Sequence, residues 1–133
     1  MNKNTEQQVV MVVDPEVLVR MEVADYLREC GYKVIEGVAA ADVWAVLQSG
    51  DRIDVLLANA DLAGDVDGFT VATRIRQTYA DVDVILTSGI SGAADKAQDL
   101  CEDGLLEKPY QPKDVSARIK TLQARRRRSE NKV

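Results

Sequence analysis

Four polar residues of this chain each stand at the end of a short strand-like run. Asp14 follows Val9–Val13, Asn59 follows Val55–Ala58, Ser88 follows Val82–Thr87, and Lys108 follows Leu105–Glu107. Together they offer a carboxylate, a carboxamide, a hydroxyl (with Thr87 as a second one beside it) and an ammonium. Open α/β sheets place their chemistry at the carboxyl ends of strands. Most of the functional question turns on Asn59 being an amide rather than an acid. Its nitrogen is not nucleophilic and its oxygen is a poor nucleophile, so no acyl intermediate can form there. Asp61 lies two positions beyond it, and Asp65 and Asp67 read as turn acids of the loop that follows. The chain has no histidine, which removes imidazole acid–base catalysis, most zinc sites and any phosphohistidine role.

The elements that must position these residues alternate along the chain. Val9–Val13 is a β-branched run of the length of a buried strand. Asp14-Pro15 then stops it, Asp as a helix cap and Pro at the first helical position. A helix over 16–30 carries Val19, Val23, Leu27 and Cys30 at helical spacing, with Gly31 as its stop. Strands follow at 32–36, 53–59, 82–87 and 105–107. Helices are expected over 39–48, 69–79, 93–102 (the weakest) and from about Lys113, with Arg125–Arg128 extending the last one before 129–133 fray. Met21, Trp44 and Cys101 read as core or edge packing residues. Five strands alternating with five helices predict an α/β fold, a doubly wound five-stranded parallel sheet of order 2-1-3-4-5, flavodoxin-like. In that order Asp14, Asn59, Ser88 and Lys108 converge on one crevice.

With 133 residues, 46% of them hydrophobic and 29% charged, the chain matches one globular domain with its own core. There is no apolar run of transmembrane length, and Met1–Gln8 is too polar for a signal peptide. Cys30 and Cys101 lack CxxC spacing and fit buried or idle thiols in a reducing cytoplasm. The net charge of −5 is uneven: from Arg118 onward there are seven basic residues against Glu130, leaving residues 1–117 with 10 basic and 21 acidic side chains. The body therefore repels nucleic acid. The four arginines Arg125–Arg128 suit a solvated helix C-terminus, with an acidic partner as the second reading. Nucleic acid is the weakest, because no aromatic residue lies near them.

Five signatures in order resemble the receiver domain of bacterial two-component response regulators. They are Val12-Val13-Asp14-x-Glu16, Arg20-Met21, Asp67-Gly68, Thr87-Ser88-Gly89 and Glu107-Lys108-Pro109-Tyr110. The resemblance spans about Val9 to Leu122. It implies a phosphoryl-accepting Asp at the end of the third strand, a pair of acids after the first strand that helps hold Mg²⁺, and a hydroxyl and a lysine that bind phosphoryl oxygens. A carboxylate nucleophile, a hard cation and flanking positive charge are what phosphoryl transfer needs.

Laid on this sequence, the resemblance puts Asn59 at the phosphoacceptor position and Pro15 at the second acid. It puts Ser88, or one residue earlier Thr87, at the hydroxyl position, and Lys108 at the lysine. Leu105 stands where receivers often carry an aromatic that reports the switch. The implied metal ligands are Asp14, Asn59 and the Asp61 backbone, a vestigial set that leaves Asp14 free to pair with Lys108. The expected division is a disordered lead-in over 1–8, a receiver domain over 9–124 and a basic tail over 125–133. The expected function is a single-domain pseudo-receiver in phosphorelay signal transduction. It would act through protein–protein interaction with a histidine kinase or a downstream signalling protein, in the cytoplasm, without enzymatic activity. No cofactor is expected, Mg²⁺ entering only if the degenerate site retains affinity. The face formed by 93–102, 105–107 and 113–122 is where a homodimer would form. Two alternatives stay open: a phosphorylation-competent receiver with a non-standard acceptor, or an Asp-to-Asn variant of an active receiver. A flavodoxin-like small-molecule binder is disfavoured, since no Gly-rich phosphate loop follows the first strand.

Overall fold

The computed structural model describes residues 7–62, 66–88, 106–107 and 110–131. In chain order they form β1 (Val9–Val13), α1 (Val17–Glu29), β2 (Lys33–Gly37), α2 (Ala40–Gln48), β3 (Val55–Asn59), α3 (Gly68–Thr78), β4 (Asp83–Ser88), β5 (Leu106–Glu107) and α4 (Pro112–Asn131). All strand pairs are parallel, in the order β2-β1-β3-β4-β5. The expected helix over 93–102 lies outside the described residues.

Side-chain alternation along the central strands builds a core on each face of the sheet. Met11, Val13, Leu56, Ala58 and Leu86 meet Val43 of α2 and Val71, Ala72 and Ile75 of α3. Val10, Val12, Val55, Leu57 and Ile85 meet Val23 and Leu27 of α1 and Val115 and Ile119 of α4. All five residues of β1 and of β3 are buried, as strands covered on both faces must be. Residues 7 and 8, expected in a disordered lead-in, are tied to the sheet. Lys33 N donates to Gln8 O at 3.0 Å, and the Gln7 amide donates to Gly31 O at 3.1 Å.

Helix α1 departs from expectation at its start and along its stripe, and its expected stop at Gly31 holds. Its N-cap is Glu16, so Pro15 precedes the cap instead of opening the helix. The reason is local: Glu16 N donates to Asp14 Oδ1 at 2.9 Å across Pro15, an Asx-type turn that delays the first helical residue. The buried positions are Val23, Ala24 and Leu27, whereas Val19 is half-buried, and Cys30 and Met21 are exposed. Gly31, at φ +99°, closes the helix with the left-handed residue such ends favour. Tyr32 N returns to Leu27 O at 3.1 Å. Trp44 packs on the α2–α3 side, with the Arg74 guanidinium 5.7 Å from its ring centroid. Helix α4 continues through the arginines to Asn131.

Candidate functional site

The register of the three central strands sets out the site. Val13 pairs with Ala58, so Asp14 and Asn59 occupy the next step of the β1–β3 ladder. Asn59 in turn pairs with Thr87 across β3 and β4. Asp14, Asn59 and Thr87 thus form a row across the carboxyl ends of adjacent strands. All three are buried, at 2%, 6% and 1% exposure.

Each member of the row is held by backbone. Asp14 N donates to Gly37 O at 3.1 Å, and Asp14 O accepts from Arg20 Nη1 at 2.9 Å. Arg20 also reaches Glu36 Oε1 through Nε at 3.2 Å. That ion pair clamps α1 to the end of β2 beside the site. Asn59 Oδ1 accepts from Asp61 N at 2.8 Å, so the carboxamide oxygen is turned into its own loop. The Asp61 side chain is exposed. Ala60 N donates to Thr87 O at 2.7 Å and Gly68 N to Ala60 O at 2.9 Å. These bonds fasten the end of β3 to β4 on one side and to the start of α3 on the other. Asp67, one of the turn acids, is the N-cap of α3, its Oδ1 accepting from Thr70 N at 2.9 Å.

The structure adds a residue that the motif reading passed over. The Tyr110 hydroxyl hydrogen-bonds the side chain of Thr87 and stands close to Asp14, while its ring packs on the α1–α4 core. Burial pushes the phenol well above its ordinary range, and the Asp14 carboxylate pushes it the same way; the Thr87 hydroxyl opposes them. The phenol is therefore neutral at physiological pH. In the sequence Tyr110 stands only as the end of the Glu107-Lys108-Pro109-Tyr110 signature. A tyrosine two residues before the last helix was the signal that could have found it, since a half-buried phenol keeps its hydroxyl where a partner can reach it.

Of the other expected site residues, Ser88 contributes its backbone to β4, opposite Glu107. Lys108 and Leu105 lie outside the described residues, so the expected Asp14–Lys108 pair falls there too. The described oxygen donors toward a dication are one carboxylate, Asp14, the Asn59 amide and the Asp61 backbone carbonyl. One Asp14 side-chain oxygen and the Asn59 amide oxygen already accept a backbone N–H. Among the described residues no cluster of three or more Cys, Asp or Glu gathers. A hard cation takes six or more oxygen ligands, so a dication here would need oxygens beyond these.

Large apolar side chains left exposed among the described residues are Val17, Leu18, Met21 and Val38, at 52%, 81%, 48% and 43%. The first three lie together on the opening turns of α1, next to Asp14, and Val38 follows the end of β2. A groove of about 270 Å³ lined by Gln7, Val9, Lys33, Ile35, Asp51 and Arg52 lies at the amino ends of the strands, away from this row.

The response regulator receiver domain family matches residues 10–120, and the chain belongs to it. It is 27% identical over 128 residues to a probable transcriptional regulator of Cyanophora paradoxa, the match covering 92% of this chain and 49% of that protein. It is 27% identical over 117 residues to the sensor kinase CckA of Brucella abortus, covering 85% of this chain and 12% of the kinase. The chain thus spans about half or less of the length of these relatives. A CheY-like receiver from Methanospirillum hungatei superposes with a TM-score of 0.83 at 17% identity, covering 93% of this chain and 99% of that one. That likeness shows the flavodoxin-like fold. The chain is a response regulator receiver of two-component signalling.

Proposed function

We propose that this receiver is a pseudo-receiver: it signals by binding other proteins and does not take up a phosphoryl group. The observation that carries the reading is Asn59, buried at the end of β3 with its amide oxygen accepting from Asp61 N. A carboxamide held this way offers no nucleophile to a phosphoryl donor, and without one the chain has no phosphoryl-transfer activity of its own. The donor set, with Pro15 and Asn59 in place of acids, supports a site that works without Mg²⁺.

Binding in place of chemistry has a surface to act through. Val17, Leu18 and Met21 form an apolar patch beside the row, and Glu16, Glu22 and Asp25 stand exposed around it. Exposed apolar residues gathered on one helix and rimmed by charge mark protein contacts. The partner class is a histidine kinase or a downstream signalling protein, met in the cytoplasm. The homodimer reading involves a face of which 93–102 and 105 lie outside the described residues.

Intact-protein mass after incubation with acetyl phosphate and Mg²⁺ tests the proposal. The expected result is an unchanged mass. Gain of one phosphoryl group, mapped to Asp61 by peptide sequencing, would overturn it and make the chain a receiver with a non-standard acceptor.

A further inference from the structure

The sheet begins with β2, and its outer edge pairs with no strand among the described residues. Lys33 N donates to Gln8 O at 3.0 Å, and Gly37 O accepts from Asp14 N at 3.1 Å, so residues 33 and 37 turn backbone groups toward β1. Peptide groups alternate in direction along a strand, and Val34 and Glu36 therefore turn theirs outward. Such an edge is a template for another strand. The segment suits pairing, since Tyr32, Val34 and Ile35 are aromatic or β-branched.

Arg28, in the last turn of α1, reaches around to this edge. Its Nη2 donates to Val34 O at 3.2 Å and to Glu36 Oε2 at 3.1 Å, and its Nη1 donates to Asp25 Oδ1 at 3.4 Å. Arg20 Nε holds the other Glu36 oxygen at 3.2 Å, so the guanidinium sits in a fixed frame. Stability alone gives little reason for the arrangement. The Arg28 and Glu36 side chains are 45% and 29% exposed, and ion pairs this open contribute little. Water would satisfy an edge carbonyl equally well. What the guanidinium does is occupy an acceptor that an added strand needs and set a charge beside it.

We propose that Arg28 closes the outer edge of β2 against strand addition, and that the strand it excludes is β2 of a second copy. A second copy supplies an edge of the same length with the same outward groups. Related by a twofold axis, the two edges would run antiparallel, Val34 of each opposite Glu36 of the other, an isologous contact. The guard goes beyond the pseudo-receiver reading and does not depend on it, since its test involves no phosphoryl donor.

Sedimentation over a concentration series and amide hydrogen exchange by NMR test the guard in the parent, Arg28→Ala and Arg28→Ala/Val34→Pro. In the parent, the Val34 and Glu36 amides are expected to exchange freely. Arg28→Ala is expected to gain a dimer as concentration rises, with exchange at those two amides slowed about tenfold. Proline at 34 removes an outward N–H, a change that edge strands tolerate, and the double variant is expected to sediment like the parent. Arg28→Ala sedimenting like the parent would overturn the proposal. So would a dimer in which Val34 and Glu36 exchange as fast as before, or one that persists in the double variant, since another surface would then be responsible. Protection of the two amides in the parent would overturn it as well, because the edge would already be open to a partner. Circular dichroism checks the fold of the double variant; should it not fold, exchange in Arg28→Ala decides alone.

Discussion

At Asn59 a change of one atom, nitrogen for oxygen, alters both nucleophilicity and the charge of the row. Putting the acid back does not by itself put the chemistry back. An Asp at 59 would stand beside buried Asp14, on the ladder step after the Val13–Ala58 pair, and two neighbouring carboxylates raise one another's pKa. A second acid at position 15 would give a dication another ligand and make the cluster worth neutralising. Because Pro15 precedes the N-cap and is exposed, its replacement costs only the stiffness it lends the unfolded chain, about 0.4–1 kcal/mol. The double variant Asn59→Asp/Pro15→Asp is therefore expected to bind Mg²⁺ and take phosphoryl from acetyl phosphate, with Asn59→Asp alone far slower. Side-by-side mass measurements at equal Mg²⁺ decide it. Equal rates would show that the second acid is dispensable, and would favour an Asp-to-Asn variant of an active receiver.

Among the elements, α3 is the one whose start bears on the site. A Cβ on Gly68 would lie 2.3 Å from Asn59 O and 2.8 Å from Ala60 Cα. Backbone is the obstacle on both sides, and backbone cannot swing away as a side-chain tip would. Gly68→Ala is expected to cost about 3 kcal/mol, the upper end of the overpacking range. It should also shift the NMR signals of Asn59 and Thr87, which the end of β3 links. Asp67→Ala removes the cap to Thr70 N and Thr70 Oγ1, both at 2.9 Å. Its expected cost is about 1 kcal/mol, with the signals of Asn59 left in place. Urea denaturation of the two variants measures the difference. A Gly68→Ala variant as stable as Asp67→Ala would show that α3 can shift to make room.

For the whole molecule, the arginine run has two parts. Arg126 holds Asp83 through Nη2–Oδ1 at 2.7 Å and Nε–Oδ2 at 3.3 Å, and adds Ala80 O at 3.4 Å. It thereby pins the distal half of α4 to the amino end of β4. Arg127 and Arg128 are exposed and keep the helix end in water, near the negative end of its dipole. The Arg126 and Asp83 side chains are 35% and 18% exposed, so the pair is partly screened and is worth about 1 kcal/mol at low salt. Thermal melts of Arg126→Ala against the parent should differ in dilute buffer and converge at about 1 M salt. An equal difference at both salt concentrations would mean that packing of the arginine stem, not charge, holds the helix down.

The apolar runs Val9–Val13 and Val55–Ala58 were enough to specify buried parallel strands, because a strand covered on both faces admits almost nothing else. From the alternation of those runs with helical stretches came the row of strand ends and the place of Asn59 in it. The chemical type of the group at 59, an amide and not an acid, was also legible in the sequence, since it belongs to the side chain and not to the fold. Tertiary structure decided how these residues are held. The start of α1 moved past Pro15 because Asp14 Oδ1 accepts from Glu16 N, a competition between side chain and helix that periodicity does not register. Met21, read as packing, proved exposed, because an apolar residue on a helix is buried only where another element covers it. The bond from Tyr110 to Thr87 joins residues 23 positions apart; no local pattern encodes such a pairing, and only the closing of α4 onto the sheet brings the two hydroxyls together.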